Sequence, residues 1–125
     1  MRLLLDTHVL LWALAESPEL ARDLRRKIAD PMNDVLVSAA SVWEITIKKR
    51  LGKLDAPDNL LEVLEASDFS PLSINFVHAA AAGSLPAHHD DPFDRMLIAQ
   101  AQSEGLILVT ADRRLRAYHV ELMQA

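Results

Sequence analysis

Short, continuous apolar runs alternate along this chain with segments of helical periodicity. Residues 2–5, Arg2-Leu3-Leu4-Leu5, read as a short buried strand. Residues 7–14 continue as a helix with Leu10, Leu11 and Leu14 at helical spacing. Ser17-Pro18 is expected to open a second helix, with the serine as cap and the proline at its first position. Leu20, Leu24, Lys27 and Ile28 give it one partly apolar face, and it runs out near Asp30-Pro31. Residues 35–37 form a second buried strand ending at Ser38.

The next helix is expected over residues 40–51, with Trp43, Ile47 and Leu51 as its core stripe and Gly52 as its stop. Residues 58–66 read as a short amphipathic helix. Residues 69–74 read as a weaker strand that Pro71 confines to a sheet edge. An alanine-rich helix over 76–82 and a polar loop, Pro86-Ala87-His88-His89-Asp90-Asp91, follow. Residues 92–103 form another helix, stopped by Gly105, and 106–109 the clearest strand of the chain. Residues 112–117 read as a short helix and 120–123 as a last strand. Apolar strands alternating with helices indicate an α/β fold on a mostly parallel sheet, with no repeat or linker to divide the chain's 125 residues.

Composition narrows the chemistry. The absence of cysteine excludes disulfides and a thiolate zinc site. The apolar start is too short for a secretory signal, since Asp6 interrupts it, and no stretch reaches the length of a membrane span. A soluble, cytoplasmic protein is expected. The net charge of -5 is unevenly spread, because every Lys and Arg lies outside residues 54–94. Setting aside four acids that stand out below leaves 14 acids against 13 bases, so a nucleic-acid substrate is compatible with the overall acidity.

Those acids are placed by the strands. Asp6 directly follows the first strand and Asp112 the strongest late one, at the carboxyl edge where α/β sheets bind ligands. Glu44 is expected in the first turn or so of the helix after the second strand, at the same edge. Asp94 falls in the first turn of its own helix. Because that helix enters the 106–109 strand, its start is expected at the opposite edge, so that only the 84–92 loop can bring Asp94 to the others. Each acid also has a purely structural role open to it: Ser41-Val42-Trp43-Glu44 matches a capping box, Asp91 can cap the Asp94 helix, and Glu44 and Lys48 form an i,i+4 pair. Convergence is what favours chemistry. Two unit charges 4 Å apart repel by about 4 kcal/mol at an effective dielectric of 20. A divalent cation relieves that cost, and all-oxygen donors point to Mg²⁺ or Mn²⁺.

The ordered residues Leu3-Leu4-Leu5-Asp6-Thr7-His8, Ser38-Ala39-Ala40-Ser41-Val42-Trp43-Glu44-Ile45, Asp91-Pro92-Phe93-Asp94-Arg95 and Val109-Thr110-Ala111-Asp112 carry a resemblance. With Lys48, Gly52-Lys53-Leu54, Leu85-Pro86, His88, Ala99-Gln100-Ala101 and Tyr118, the chain resembles the PIN-domain ribonucleases, in particular the VapC-type toxins of toxin–antitoxin pairs, from end to end. The resemblance implies a PIN-like three-layer fold, about five mostly parallel strands with helices on both faces. It implies hydrolysis of RNA phosphodiesters by a metal-activated water, with Asp6, Glu44, Asp94 and Asp112 as the catalytic, Mg²⁺- or Mn²⁺-binding quartet. It also implies that the loop does bring Asp94 to the site, an antitoxin protein as partner, and a homodimer.

Around that quartet, the hydroxyls of Thr7 and Thr110 are candidates to orient carboxylates, with helix capping as their alternative. Lys48, Arg95 and Arg113 are candidate RNA contacts, Arg113 as part of a track with Arg114 and Arg116. His8 is expected to be packed rather than catalytic. His88-His89-Asp90-Asp91 lacks the third ligand and spacing of a zinc site. Two rival readings remain: a receiver-like signalling domain with an acidic Mg²⁺ pocket, and a catalytically silent PIN-like module that only binds another protein.

Overall fold

The computed structural model describes residues 1–125. Five strands, β1 (Arg2–Leu5), β2 (Asp34–Ser38), β3 (Ser70–Leu72), β4 (Ile107–Thr110) and β5 (Leu122–Gln124), form one sheet in the order β3-β2-β1-β4-β5. Every pairing is parallel. Six helices connect them: α1 (Thr7–Leu14), α2 (Arg22–Ala29), α3 (Ala39–Arg50), α4 (Leu60–Ala66), α5 (Phe76–Ser84) and α6 (Pro92–Glu104), with a 3₁₀ turn at Arg113–Ala117. This order removes the receiver-like reading. That fold places its third strand between the first and fourth, whereas here β1 lies directly against β4 and β3 sits at the edge.

The central strand explains the two-sided core. Leu3 and Leu5 point to one face and Leu4 to the other, and all three are fully buried. Leu3 and Leu5 join Val9, Leu10, Leu24, Val35 and Ile45 beneath α1–α4. Leu4 joins Leu36, Leu97, Ile98, Leu108 and Leu115 beneath α6 and the 3₁₀ turn. The unbroken apolar run of β1 is thus the signature of a strand covered by helices on both faces. Pro71 lies in β3, on the sheet edge, where a residue without an N–H is tolerated.

Three local expectations change. The second helix starts not at Pro18 but at Arg22, without a side-chain cap. The Ser17 hydroxyl instead accepts from the Glu19 N–H, and the Ser17 carbonyl takes the Arg25 guanidinium at 2.7 Å. These bonds make a separate turn that seats Leu20 in the core at 2% exposure. Helix α3 begins one residue early, capped by the Ser38 hydroxyl on the Ala40 N–H, so Ser41 is not its cap. It is also rotated relative to the expected stripe. Ala40, Ser41, Glu44 and Ile45 are buried, while Trp43 and Leu51 are about three-fifths exposed, at 62% and 61%. Leu51 ends the helix and Gly52 follows at a left-handed φ of 72°, which only glycine adopts without strain.

The edge assigned to Asp94 also needs correction. Helix α6 ends at Glu104, and the Glu104 carbonyl accepts from Arg2 at the amino end of β1. A helix leading into the amino end of a parallel strand runs antiparallel to it. Its start must therefore lie at the carboxyl edge, about 20 Å away for a helix of 13 residues. Helix α5 runs back along α6, since His78 near its start meets Glu104, and Arg95 meets the Ala82 carbonyl near its end. The 85–91 loop therefore turns over at the same edge as Asp6 and Asp112.

Candidate metal centre

The register of the sheet builds the floor of the site. Leu5 lies opposite Val109, so Asp6 and Thr110, the next residue on each strand, are neighbours. The Thr110 hydroxyl donates to Asp6 Oδ2 at 2.5 Å, and the Val9 N–H donates to Asp6 Oδ1 at 2.8 Å as Asp6 caps α1. Both carboxylate oxygens of Asp6 are thus fixed before any ion or substrate arrives.

Glu44 comes from the second turn of α3, as its sixth residue, rather than from the first. It is 4% exposed. The Thr7 hydroxyl donates to its Oε1 at 2.5 Å, and Lys48, one turn further on, pairs with its Oε2. This pair explains why α3 turns Glu44 inward at the expense of Trp43, which packs edge-on against Phe93 on the surface. Lys48 also stands over the Phe93 ring, 6.0 Å from its centroid.

Asp91 caps α6, accepting from the N–H groups of Phe93 and Asp94, with Pro92 in the first helical position. Asp94 is the third helical residue, and its side chain points back toward Asp112. Asp112 caps the 3₁₀ turn, accepting from the Arg114 N–H, and pairs with the Arg114 guanidinium at 2.7 Å. Asp6, Thr7, Glu44, Lys48, Asp94 and Asp112 share one open cavity of about 600 Å³. Its remaining wall includes His8, Trp12, Glu19, Asp91 and Arg114.

The four acids do not carry equal electrostatic loads. Burial pushes the Asp6 carboxyl up, against its bonds from Thr110 and Val9, and Glu44 adds repulsion. Asp94 is pushed up to about 7, chiefly by burial, then by repulsion from Asp91, with smaller repulsions from Asp6 and Glu44 and an opposing pull from His89. Asp112 is held down at about 2 by the Arg114 guanidinium. Lys48 is raised, chiefly by its bond to Glu44. Asp6 and Asp94 have no Lys or Arg ion pair. A buried and a half-buried acid that both lack a Lys or Arg partner, one of them already oriented by the Thr110 hydroxyl, make a donor set that fits a small hard divalent ion.

Two candidate contacts fall outside this cavity. Arg95 is turned into the fold. Its guanidinium donates to the carbonyls of Ala82, Leu85, Pro86 and His89 and to the Tyr118 hydroxyl, clamping the 85–91 loop. A fork of five N–H donors suits a ring of carbonyls, and that use turns the guanidinium toward the loop rather than the cavity. Arg113 is exposed, and Arg114 is the residue of that run that reaches the site. His8, expected to be packed, is exposed on α1 and lines the cavity.

His89, which lacks zinc-site spacing in the sequence, stands within the cluster. Its Nε2 lies 3.0 Å from Asp94 Oδ2 and 3.3 Å from Asp112 Oδ2. The only signal for it was its place two residues before the Asp91 cap, and the loop geometry that makes this count is not encoded in residue type.

A family model described as "PIN domain" matches residues 3–120. Ribonuclease VapC22 of Mycobacterium tuberculosis is 32% identical over 118 residues, spanning 92% of this chain and 90% of that protein. Ribonuclease VapC16 of the same organism is 40% identical over 78 residues, 54% of this chain, a match that spans only about half, 55%, of that relative. Among solved structures, VapBC2 from Rickettsia felis bound to a promoter DNA fragment superposes with a TM-score of 0.74 at 16% identity, covering 99% of this chain and 98% of that one. DNA-bound VapBC from Salmonella typhimurium gives 0.73 at 22% identity, with the same coverage of 99% and 98%. These structural likenesses speak for the fold, and the family-model match covers nearly the whole chain: this protein belongs to the PIN-domain family.

Proposed function

We propose that this chain is an endoribonuclease that hydrolyses RNA phosphodiesters with Mg²⁺ or Mn²⁺ held by Asp6, Glu44, Asp94 and Asp112. The observation that carries this reading is the meeting of these four carboxylates in one cavity at the carboxyl edge of the sheet. The relatives named ribonucleases support the substrate class. When bound, the ion supplies a polarised water and offsets negative charge gathering on the phosphodiester.

The protein's part is to hold its donors still. Thr110 and the α1 backbone fix Asp6, and Thr7 and Lys48 fix Glu44. Lys48 and Arg114 are the cations on the cavity wall and stand ready to meet the RNA backbone. In Mg²⁺ or Mn²⁺, wild type should cut RNA, and Asp6→Asn and Asp94→Asn should each lose at least about 100-fold in rate while remaining folded. Cleavage that persists in excess EDTA, or in both variants, contradicts the assignment. A folded wild type that binds a partner but never cuts RNA favours the silent binding module.

The same reading makes the chain the toxin of a toxin–antitoxin pair, acting in the cytoplasm as a homodimer. Its support is the fold shared with the VapBC complexes, together with large apolar side chains left exposed at Trp43, Leu61, Phe76 and Val77. No helix is long and apolar enough to cross a membrane. Expression should arrest growth, and co-expression of the neighbouring small gene should relieve it. An active enzyme that leaves growth unchanged separates the nuclease from the toxin reading.

A further inference from the structure

The 85–91 loop delivers a histidine whose ring is fixed from two directions. The His89 carbonyl accepts from the Arg95 guanidinium at 3.2 Å, which anchors its backbone. Its Nδ1 accepts from the Asp91 N–H at 3.2 Å. A backbone N–H can only donate, so Nδ1 must offer its lone pair and the ring proton sits on Nε2. That Nε2–H is aimed between two carboxylates, 3.0 Å from Asp94 Oδ2 and 3.3 Å from Asp112 Oδ2. The side chain is 7% exposed, so water competes little for this bond.

We infer that His89 is a positioning residue, whose Nε2–H joins the Asp94 and Asp112 carboxylates and holds them ready for a divalent ion. The inference rests on the metal-dependent reading above. Direct ligation by His89 is the rival, since the three side chains offer ligand atoms within 4.8 Å of one another. Ligation through Nε2 would move the ring proton to Nδ1, where it would face the Asp91 N–H donor to donor. The hydrogen bond to Asp91 thus selects the donor role.

The arrangement also explains how two acids tolerate each other across the cavity. Arg114 holds Asp112 from the solvent side and His89 holds it from the inside, while Asp94 has His89 as its one side-chain partner. Removing the ring frees Asp94 to swing away from the cluster. Loss of such a supporting hydrogen bond weakens metal binding by about 10- to 100-fold.

Three proteins test this: wild type, His89→Ala and His89→Gln, each titrated with Mn²⁺ alone by calorimetry. Glutamine places an amide N–H near the position of Nε2. The expected result is binding about 10- to 100-fold weaker in His89→Ala and within about threefold of wild type in His89→Gln. Imidazole ¹⁵N shifts of the metal-free wild type should show Nε2 protonated and Nδ1 bare. Equal Mn²⁺ affinity in wild type and His89→Ala overturns this inference alone. So does equal weakness of both variants with a bare Nε2, which is the pattern of a ligand. A wild type that binds no Mn²⁺ overturns the metal-centre reading and this inference with it.

Discussion

Replacing Asp94 by asparagine should make the metal-free protein more stable, which is the opposite of what an ordinary helix N-terminal acid does. An acid in the first helical turn contributes about 0.3–1 kcal/mol, so its loss normally destabilises. Asp94, however, is pushed from 3.8 to about 7 by burial and by its acidic neighbours. That displacement corresponds to a penalty of about 4 kcal/mol on the ionised form above pH 7, an upper bound because the side chain is 21% exposed. The sign follows from proton binding. Between 3.8 and about 7 the folded state binds more protons at this carboxyl than the unfolded chain does, so stability falls as pH rises through that window. Asparagine keeps the shape without the charge. Urea unfolding in EDTA at pH 8 should therefore favour Asp94→Asn by about 2–4 kcal/mol, shrinking toward zero by pH 4. Adding Mn²⁺ at about 1,000 times the wild-type dissociation constant should reverse the order, since only wild type then gains about 4.1 kcal/mol. An Asp94→Asn protein less stable than wild type at pH 8 in EDTA would show that the ionised Asp94 carboxylate carries no such penalty.

Thr110→Val removes the hydroxyl on Asp6 Oδ2 and should weaken Mn²⁺ binding about tenfold by calorimetry, with the fold retained. Arg95→Ala leaves a ring of loop carbonyls without their donor and should lower stability by about 2–4 kcal/mol in urea. Arg95→Lys should fail to restore it, because an ammonium cannot span those carbonyls. The Asp112 carboxyl should titrate at about 2 by NMR and move up toward 3.8 in Arg114→Ala. Its depressed value means that the Asp112–Arg114 contribution is present above pH 4 and is lost as pH falls through about 2.

The sheet was legible wherever burial on both faces wrote an unbroken apolar run, as in Leu3-Leu4-Leu5 and Leu108-Val109. Asp6 and Asp112 followed directly, because each comes just after such a strand. The edge of Asp94 follows from topology rather than residue type, because a helix antiparallel to the strand it enters has only the carboxyl edge for its start. The rotation of α3 was illegible because the Trp43-Ile47-Leu51 stripe is more apolar than the Ala40-Ser41-Glu44-Ile45 face that is buried. Periodicity follows apolarity, and here a buried glutamate held by Thr7 and Lys48 decides the face. Ser17 looked like a cap because the same hydroxyl chemistry serves helix starts and isolated turns. His89 and the inward turn of Arg95 depend on the path of one loop, which residue types alone do not fix.

A divalent ion held by Asp6, Glu44, Asp94 and Asp112 at the carboxyl edge of the sheet is what the proposed reaction requires. Crystals soaked in Mn²⁺ and measured at a wavelength where manganese scatters anomalously would locate that ion. An anomalous peak is expected within about 2.3 Å of carboxylate oxygens of Asp6 and Asp94. A map with no peak in that cavity, from protein that cleaves RNA in the same buffer, would contradict it.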